Sequence, residues 1–118
     1  MKSMLIVEDD VVFCKMLGRF LASKNFTTIE ATNASEANDL IKSKVKIDFA
    51  LIDQKLPDGE GDEVLRKLLE VNPKAKVFMM SRFYSDEQHK KFLELGALDF
   101  IKKPIRPNEL LSVLNEYI

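Results

Sequence analysis

The 118-residue sequence predicts an α/β fold, with one parallel five-stranded sheet doubly wound by five helices in (βα)5 order. Two observations carry this. Met4–Val7, Phe49–Ile52 and Val77–Met80 are continuously apolar, as strands buried on both faces must be. The stretches around them have the 3.6-residue spacing of helices that bury one face. Strand and helix alternate five times without a linker or low-complexity segment, which implies right-handed crossovers between parallel strands.

The first strand, Met4–Val7, leads into a helix striped by Phe13, Leu17, Phe20 and Leu21. Thr27–Ala31 mixes polar and apolar residues and reads as an edge strand. The helix after it is striped by Ala37, Leu40 and Ile41, with Asn33 and Glu36 at capping-box spacing. Phe49–Ile52 runs into Asp53 and the turn-forming Leu56-Pro57-Asp58-Gly59. Val64, Leu65, Leu68 and Leu69 stripe the third helix, and Val77–Met80 follows as the fourth strand. The fourth helix, around Gln88–Leu95, has the thinnest stripe, Phe92 and Leu95, and a start signal in Ser85 with Gln88. Phe100–Ile101 reads as a short edge strand. Pro107 suits the first position of a last helix striped by Leu110, Leu111, Leu114 and Tyr117. Three buried strands between two edge strands fit the order 2-1-3-4-5, a flavodoxin-like arrangement whose crevice opens between strands one and three.

With 46% hydrophobic and 31% charged residues, the chain 1–118 fits one domain with one core. A net charge of −1 argues against bulk attraction to nucleic acid or anionic lipid, so no direct nucleic-acid partner is expected. Lys42, Lys44, Lys46 and Lys90-Lys91 read as solvated faces. The sequence has no bilayer-length apolar run and no secretory pattern, so a cytoplasmic chain without a membrane partner is expected. The single Cys14 reads as helix packing and the single His89 as a surface residue; no Cys/His set exists for zinc. The five methionines read as core, with Met80 toward a pocket wall.

Chemically distinct side chains sit just past the predicted strand ends. Glu8-Asp9-Asp10 follows the first strand, Asp53 the third, Ser81 the fourth and Lys103-Pro104 the fifth. In a parallel sheet those ends face one way, so these groups converge on one crevice. Clustered carboxylates repel unless one holds a proton or a cation neutralises them. Hard oxygen ligands without nitrogen or sulfur favour Mg²⁺, with Mn²⁺ as a substitute. Asp53 can then act as a nucleophile toward phosphorus, with Lys103 and the Ser81 hydroxyl serving the phosphoryl oxygens. Spacing alone leaves open which two of the three acids bind metal, and Asp10 lies where it can cap the first helix.

Along its whole length the chain resembles the receiver (CheY-like) domain of two-component response regulators. The matching segments are IVEDD after strand one, D-x-x-x-P-D-G at Asp53–Gly59, Ser81 at the end of strand four, and G-A-x-D-F-I-x-K-P at Gly96–Pro104. The resemblance implies that Asp53 accepts a phosphoryl group from the phosphohistidine of a sensor histidine kinase or phosphotransfer protein. It implies Asp9 as direct metal ligand, Glu8 as its water-mediated partner, and the Lys55 backbone carbonyl completing the Mg²⁺ site. It further implies Ser81 and Lys103 as phosphoryl-binding groups, Phe100 as an aromatic switch that turns inward on phosphorylation, and a cis Lys103–Pro104 bond. The downstream effector or output domain would meet the face made by helix four, strand five and helix five, through Phe92, Phe100, Lys102 and Arg106; a phosphorylation-dependent homodimer is a further expectation. The chain is then a phosphoacceptor that assists its own phosphorylation and dephosphorylation, not a turnover enzyme. Arg82, Lys55 and Phe83 depart from or vary within the usual pattern and are expected to restrict attacking water, prolonging the phosphorylated state. Two alternatives are a phosphorylation-independent interaction module, which Arg82 keeps alive, and an aspartyl-phosphate phosphohydrolase, which lacks a second acid/base at Gln54 and Lys55.

Overall fold

The structure is a computed structural model and describes residues 1–117. Five strands, β1 (Lys2–Val7), β2 (Phe26–Ala31), β3 (Phe49–Asp53), β4 (Lys76–Ser81) and β5 (Asp99–Lys102), pair in parallel in the order β2-β1-β3-β4-β5. The helices are α1 (Val11–Ser23), α2 (Ala34–Lys42), α3 (Gly61–Val71), α4 (Asp86–Glu94) and α5 (Pro107–Asn115). Fold class and strand order are those the sequence predicts, and the two strands read as edges are the edges. Each strand outruns its apolar run by one or two residues. The ladder continues through backbone pairs such as Lys2 with Phe26 and Ser81 with Lys102, where side-chain polarity is immaterial.

Alternation along the strands divides the core. Met4, Ile6, Phe49, Leu51, Phe78 and Met80 point to one face, packed by Cys14, Leu17 and Leu21 of α1 and Leu110 and Leu114 of α5. Leu5, Val7, Ala50, Ile52, Val77 and Met79 point to the other, packed by Ala37 and Ile41 of α2, Val64, Leu65 and Leu68 of α3, and Phe92 of α4. Each large side chain fully buried here contributes about 1.5–3 kcal/mol relative to exposure. Met80 belongs to this core, whereas Met1 and Met16 are exposed, a correction to the reading of all five methionines as core.

Side-chain caps set where the helices begin. Asp10 accepts from the Phe13 N–H at 3.1 Å, Asn33 from Glu36 N–H at 2.8 Å, and Ser85 from Gln88 N–H at 3.1 Å. Each such cap is worth about 1 kcal/mol. The Glu36 carboxylate reaches past the cap residue to the Thr32 N–H at 2.7 Å, a capping box displaced by one residue. Pro107 stands in the first turn of α5, as its fixed φ favours. At the exit of α4, Gly96 adopts φ +106°, which turns the chain directly into β5.

One element is absent from the sequence reading. Lys55–Leu56 and Gly59–Glu60 form a two-residue antiparallel hairpin after β3. Two-residue strands carry no periodicity to find. No helix among the described residues is long and apolar enough to cross a membrane.

Candidate functional site

The C-terminal ends of β1, β3, β4 and β5 open onto one cleft of about 380 Å³. Its lining includes Glu8, Asp9, Asp10, Asp53, Lys55, Ser81, Arg82, Phe83 and Lys103, so every site side chain predicted beyond the strand ends reaches it. Each is delivered by a strand that stops there. Glu8 is held at the end of β1 by its N–H bond to the Ala31 carbonyl, Asp53 is the last residue of β3, and Ser81 the last of β4. Lys103 follows β5; its N–H bonds the Ser81 carbonyl at 2.8 Å, and its peptide bond to Pro104 is cis.

A buried charge cluster forms the floor. Glu8 is fully buried and Asp53 is 7% exposed, and the Lys103 ammonium bridges them. Nζ lies 2.9 Å from Asp53 Oδ2 and directly against Glu8 Oε1, and it sits over the Phe13 ring at 5.5 Å. Burial pushes the Glu8 carboxyl up to about 7, although the Lys103 bond pulls the other way. Burial also works against the Lys103 charge, but its bonds to Glu8 and Asp53 outweigh this and hold the ammonium above its ordinary pKa. Carboxylate oxygens of Glu8, Asp9 and Asp53 all lie within 4.8 Å of one another, a set of hard donors suited to Mg²⁺ and unsuited to zinc. Asp10 instead caps α1, and its N–H bonds Glu8 Oε2 at 3.2 Å, fixing the Glu8 carboxylate. Asp10 thus stands apart from the cluster of Glu8, Asp9 and Asp53.

Two supports of this site escaped the sequence reading. Gly61 begins α3 against the end of β3, where its N–H bonds the Gln54 carbonyl at 2.8 Å; a Cβ there would lie 2.1 Å from the Asp53 carbonyl oxygen. Asp58, read as a turn residue, accepts from the Ala34 and Ser35 N–H groups at 2.7 and 2.9 Å. It thus ties the loop after Asp53 to the start of α2, and these bonds hold its carboxyl below the usual range. Asp58 meets residues 24 and 23 positions earlier, and Gly61 is held against a strand end beyond an intervening hairpin, so no local periodicity announces them.

The aromatic switch position departs from expectation. Phe100 is 4% exposed, so it is already turned inward in the unmodified chain. Tyr84 stacks on its ring at 5.1 Å, and Phe92 meets it edge-on at 5.0 Å. Phe92 is fully buried as well, which removes both aromatics from the expected contact surface, while Lys102 and Arg106 are exposed. His89, read as a surface residue, is only partly exposed and is fixed by two side chains, Tyr84 and Asp99. The aromatics form a cluster because α4 has so few apolar residues that its inward side must be filled from the neighbouring loop.

The family model described as the response regulator receiver domain matches residues 4–115. Chemotaxis protein CheY of Thermotoga maritima is 30% identical over 117 residues, covering 98% of this chain and 96% of that protein. A cyclic di-GMP phosphodiesterase of the same organism is 40% identical over 103 residues, which are 87% of this chain but 27% of that longer protein. The chain spans 27% of that phosphodiesterase and 25% of the transcriptional regulatory protein ZraR of Klebsiella oxytoca, against 96% of the chemotaxis protein. Among solved structures, a CheY-like receiver domain protein from Methanospirillum hungatei JF-1 superposes with a TM-score of 0.91 at 33% identity, covering 98% of this chain and 92% of that one. Sheet order, the cleft at the strand ends and the matched family model agree: the chain belongs to the response regulator receiver domain family, whose members are signalling phosphoacceptors of two-component systems.

Proposed function

We propose that this chain, read as one receiver domain over residues 1–118, is a switch that takes a phosphoryl group onto Asp53 from the phosphohistidine of a sensor kinase or phosphotransfer protein. The observation that carries this reading is the single ammonium of Lys103 shared by two buried carboxylates, Glu8 and Asp53, in a cleft open to donors. An Asp53 carboxylate oxygen attacks phosphorus, the P–N bond to the donor imidazole breaks, and the electron pair leaves on the ring nitrogen. Lys103 and the Ser81 hydroxyl receive the phosphoryl oxygens, so positioning and charge neutralisation supply the catalysis. Glu8, Asp9, Asp53 and the Lys55 backbone carbonyl would hold Mg²⁺, or Mn²⁺ in its place; bound there, the ion neutralises charge on the phosphoryl oxygens.

Three further parts belong to the same reading. Arg82, Lys55 and Phe83 all line the cleft, and we assign them to restricting attacking water; slower phosphoryl loss in wild type than in Arg82→Ala would support this. Phosphorylation repacks the face of α4, β5 and α5, where an effector, an output domain or a second phosphorylated copy binds. The protein is consumed and regenerated as a substrate and does not turn over others. Incubation with acetyl phosphate, with and without Mg²⁺, should add one phosphoryl group to the intact mass in the metal-dependent arm, and none to Asp53→Asn. Equal labelling of Asp53→Asn would refute the assignment of the acceptor.

A further inference from the structure

We infer that Tyr84, His89 and Asp99 form a latch that positions the loop after Ser81, and that movement of Ser81 toward a phosphoryl group on Asp53 opens it. This rests on the phosphoacceptor reading above and concerns how that event leaves the site.

The connection is short and continuous. The Ser81 hydroxyl lines the cleft and accepts the Phe83 N–H at 3.0 Å. The next residue, Tyr84, places its hydroxyl against His89 Nδ1 on α4. The other ring nitrogen, Nε2, lies 3.2 Å from Asp99 Oδ1 at the head of β5. A carboxylate beside Nε2 places a ring proton there, and in the neutral ring this leaves Nδ1 to accept from the Tyr84 hydroxyl. His89 thus ties the loop, α4 and β5 together at one point. Two of these groups roof Phe100: Tyr84 stacks on it at 5.1 Å with 24° between planes, and the His89 ring meets it edge-on at 6.1 Å. This roof is why Phe100 is buried before any modification.

Ser81 cannot shift toward Asp53 without disturbing the Phe83 amide bonded to it. That displacement is passed to Tyr84 one residue on, while His89 stays fixed to α4 and Asp99. The bond between Tyr84 and His89 is the joint that must yield. By linkage, whatever weakens this joint makes the switched form easier to reach and the phosphoryl mimic easier to bind.

His89 is the only histidine in the chain, so its ring signals are unambiguous in a protein labelled with ¹³C,¹⁵N-histidine. The experiment titrates beryllofluoride with Mg²⁺ into the full chain and into Tyr84→Phe, following the His89 ring and the Asp53 and Ser81 amides by NMR. Tyr84→Phe keeps the ring on Phe100 and deletes only the hydroxyl. In unliganded wild type, at alkaline pH where the ring is neutral, it should be the Nε2–H tautomer with Nδ1 as a hydrogen-bonded acceptor. At saturation its signals should converge on those of Tyr84→Phe. The variant should reach half-saturation at about five-fold lower beryllofluoride, the equivalent of one net hydrogen bond. If the Asp53 and Ser81 amides shift while His89 does not, or if half-saturation is the same in both proteins, the latch is refuted and the phosphoacceptor reading stands. If neither amide responds, that reading fails and takes the latch with it.

Discussion

Replacing Gly61 with alanine places a Cβ 2.1 Å from the Asp53 carbonyl oxygen and 3.1 Å from Ile52 Cγ2. Both neighbours are fixed, one as backbone and the other as a fully buried side chain in the sheet core. Relief therefore requires the first turn of α3 and the end of β3 to part by roughly 1 Å, an overpacking strain of about 1–3 kcal/mol. The same movement stretches the Gly61 N–H bond to the Gln54 carbonyl, worth about 1 kcal/mol more. A total near 2–4 kcal/mol lies within the usual 5–15 kcal/mol stability of a domain, so the variant still folds. Its melting temperature should fall by roughly 10 °C.

The functional effect should exceed the stability effect, because the residue displaced is the proposed nucleophile. A misplacement of about 1 Å at a reacting atom costs on the order of 100-fold in rate. Urea unfolding and Mg²⁺-dependent phosphorylation by acetyl phosphate, measured below the melting transition, test both halves together. Glu60→Ala is the control, since Glu60 is exposed and makes no side-chain cap bond; it should change stability by less than about 0.5 kcal/mol. If Gly61→Ala unfolds within about 0.5 kcal/mol of wild type and labels at the wild-type rate, close packing of α3 on β3 does not position Asp53.

Lys103→Met removes the cation bonded to Glu8 and Asp53 and leaves both buried carboxylates without a charge partner among the described residues; unfolding free energy should drop by about 1–3 kcal/mol, and acetyl phosphate labelling at least ten-fold. Retention of both would disprove the role of the ammonium. Asp48 accepts from the Ser3 N–H at 2.9 Å, and chiefly that bond lowers its pKa below 3.8. Its contribution, about 1 kcal/mol with solvent screening, is thus complete above pH 3.8 and lost as pH falls through the lower folded value. Asp48→Asn should lose that much at pH 7 and less on acidification, as read by urea midpoints at both pH values; parallel shifts in the two proteins would contradict this. Burial, aided by the Glu30 charge, pushes the Cys14 thiol up to about 12, so iodoacetamide at pH 8 should label it only after unfolding. Native labelling at the rate of a free thiol would overturn its placement in the core.

The sequence carries the fold wherever burial is two-sided. The runs Met4–Val7, Phe49–Ile52 and Val77–Met80 can only be central strands, and their order follows from edges that are less apolar. The cleft was legible for the same reason, since a parallel sheet turns strand ends into a site and the residues just past them are read off directly. Features that depend on tertiary partners were not legible. Asp58 caps a helix that begins 24 residues earlier, and Gly61 is required by a carbonyl of the neighbouring strand rather than by its own φ. Phe92 and Phe100 illustrate the opposite error. A resemblance places them on a contact face, but α4 offers Phe92 as its only fully buried side chain, so the core claims both aromatics and Tyr84 takes the outer position.

The charge arrangement explains why the unmodified site is stable and why it is responsive. Glu8 has no exposure to water and, among the described residues, finds a single cation in Lys103, which it shares with Asp53. Burial has already brought the Glu8 carboxyl close to neutrality's threshold, at about 7. The Lys103 ammonium has three protons, and the two carboxylates take two of them in the resting arrangement. A new anion on Asp53 would share the charge of that same ammonium. Glu8 then has two outcomes, to take up a proton or to gain another cation beside it. Either change would alter the charge at the end of β1, and because Lys103 follows β5 and Asp53 ends β3, an event on the Asp53 side chain would reach three strand ends at once.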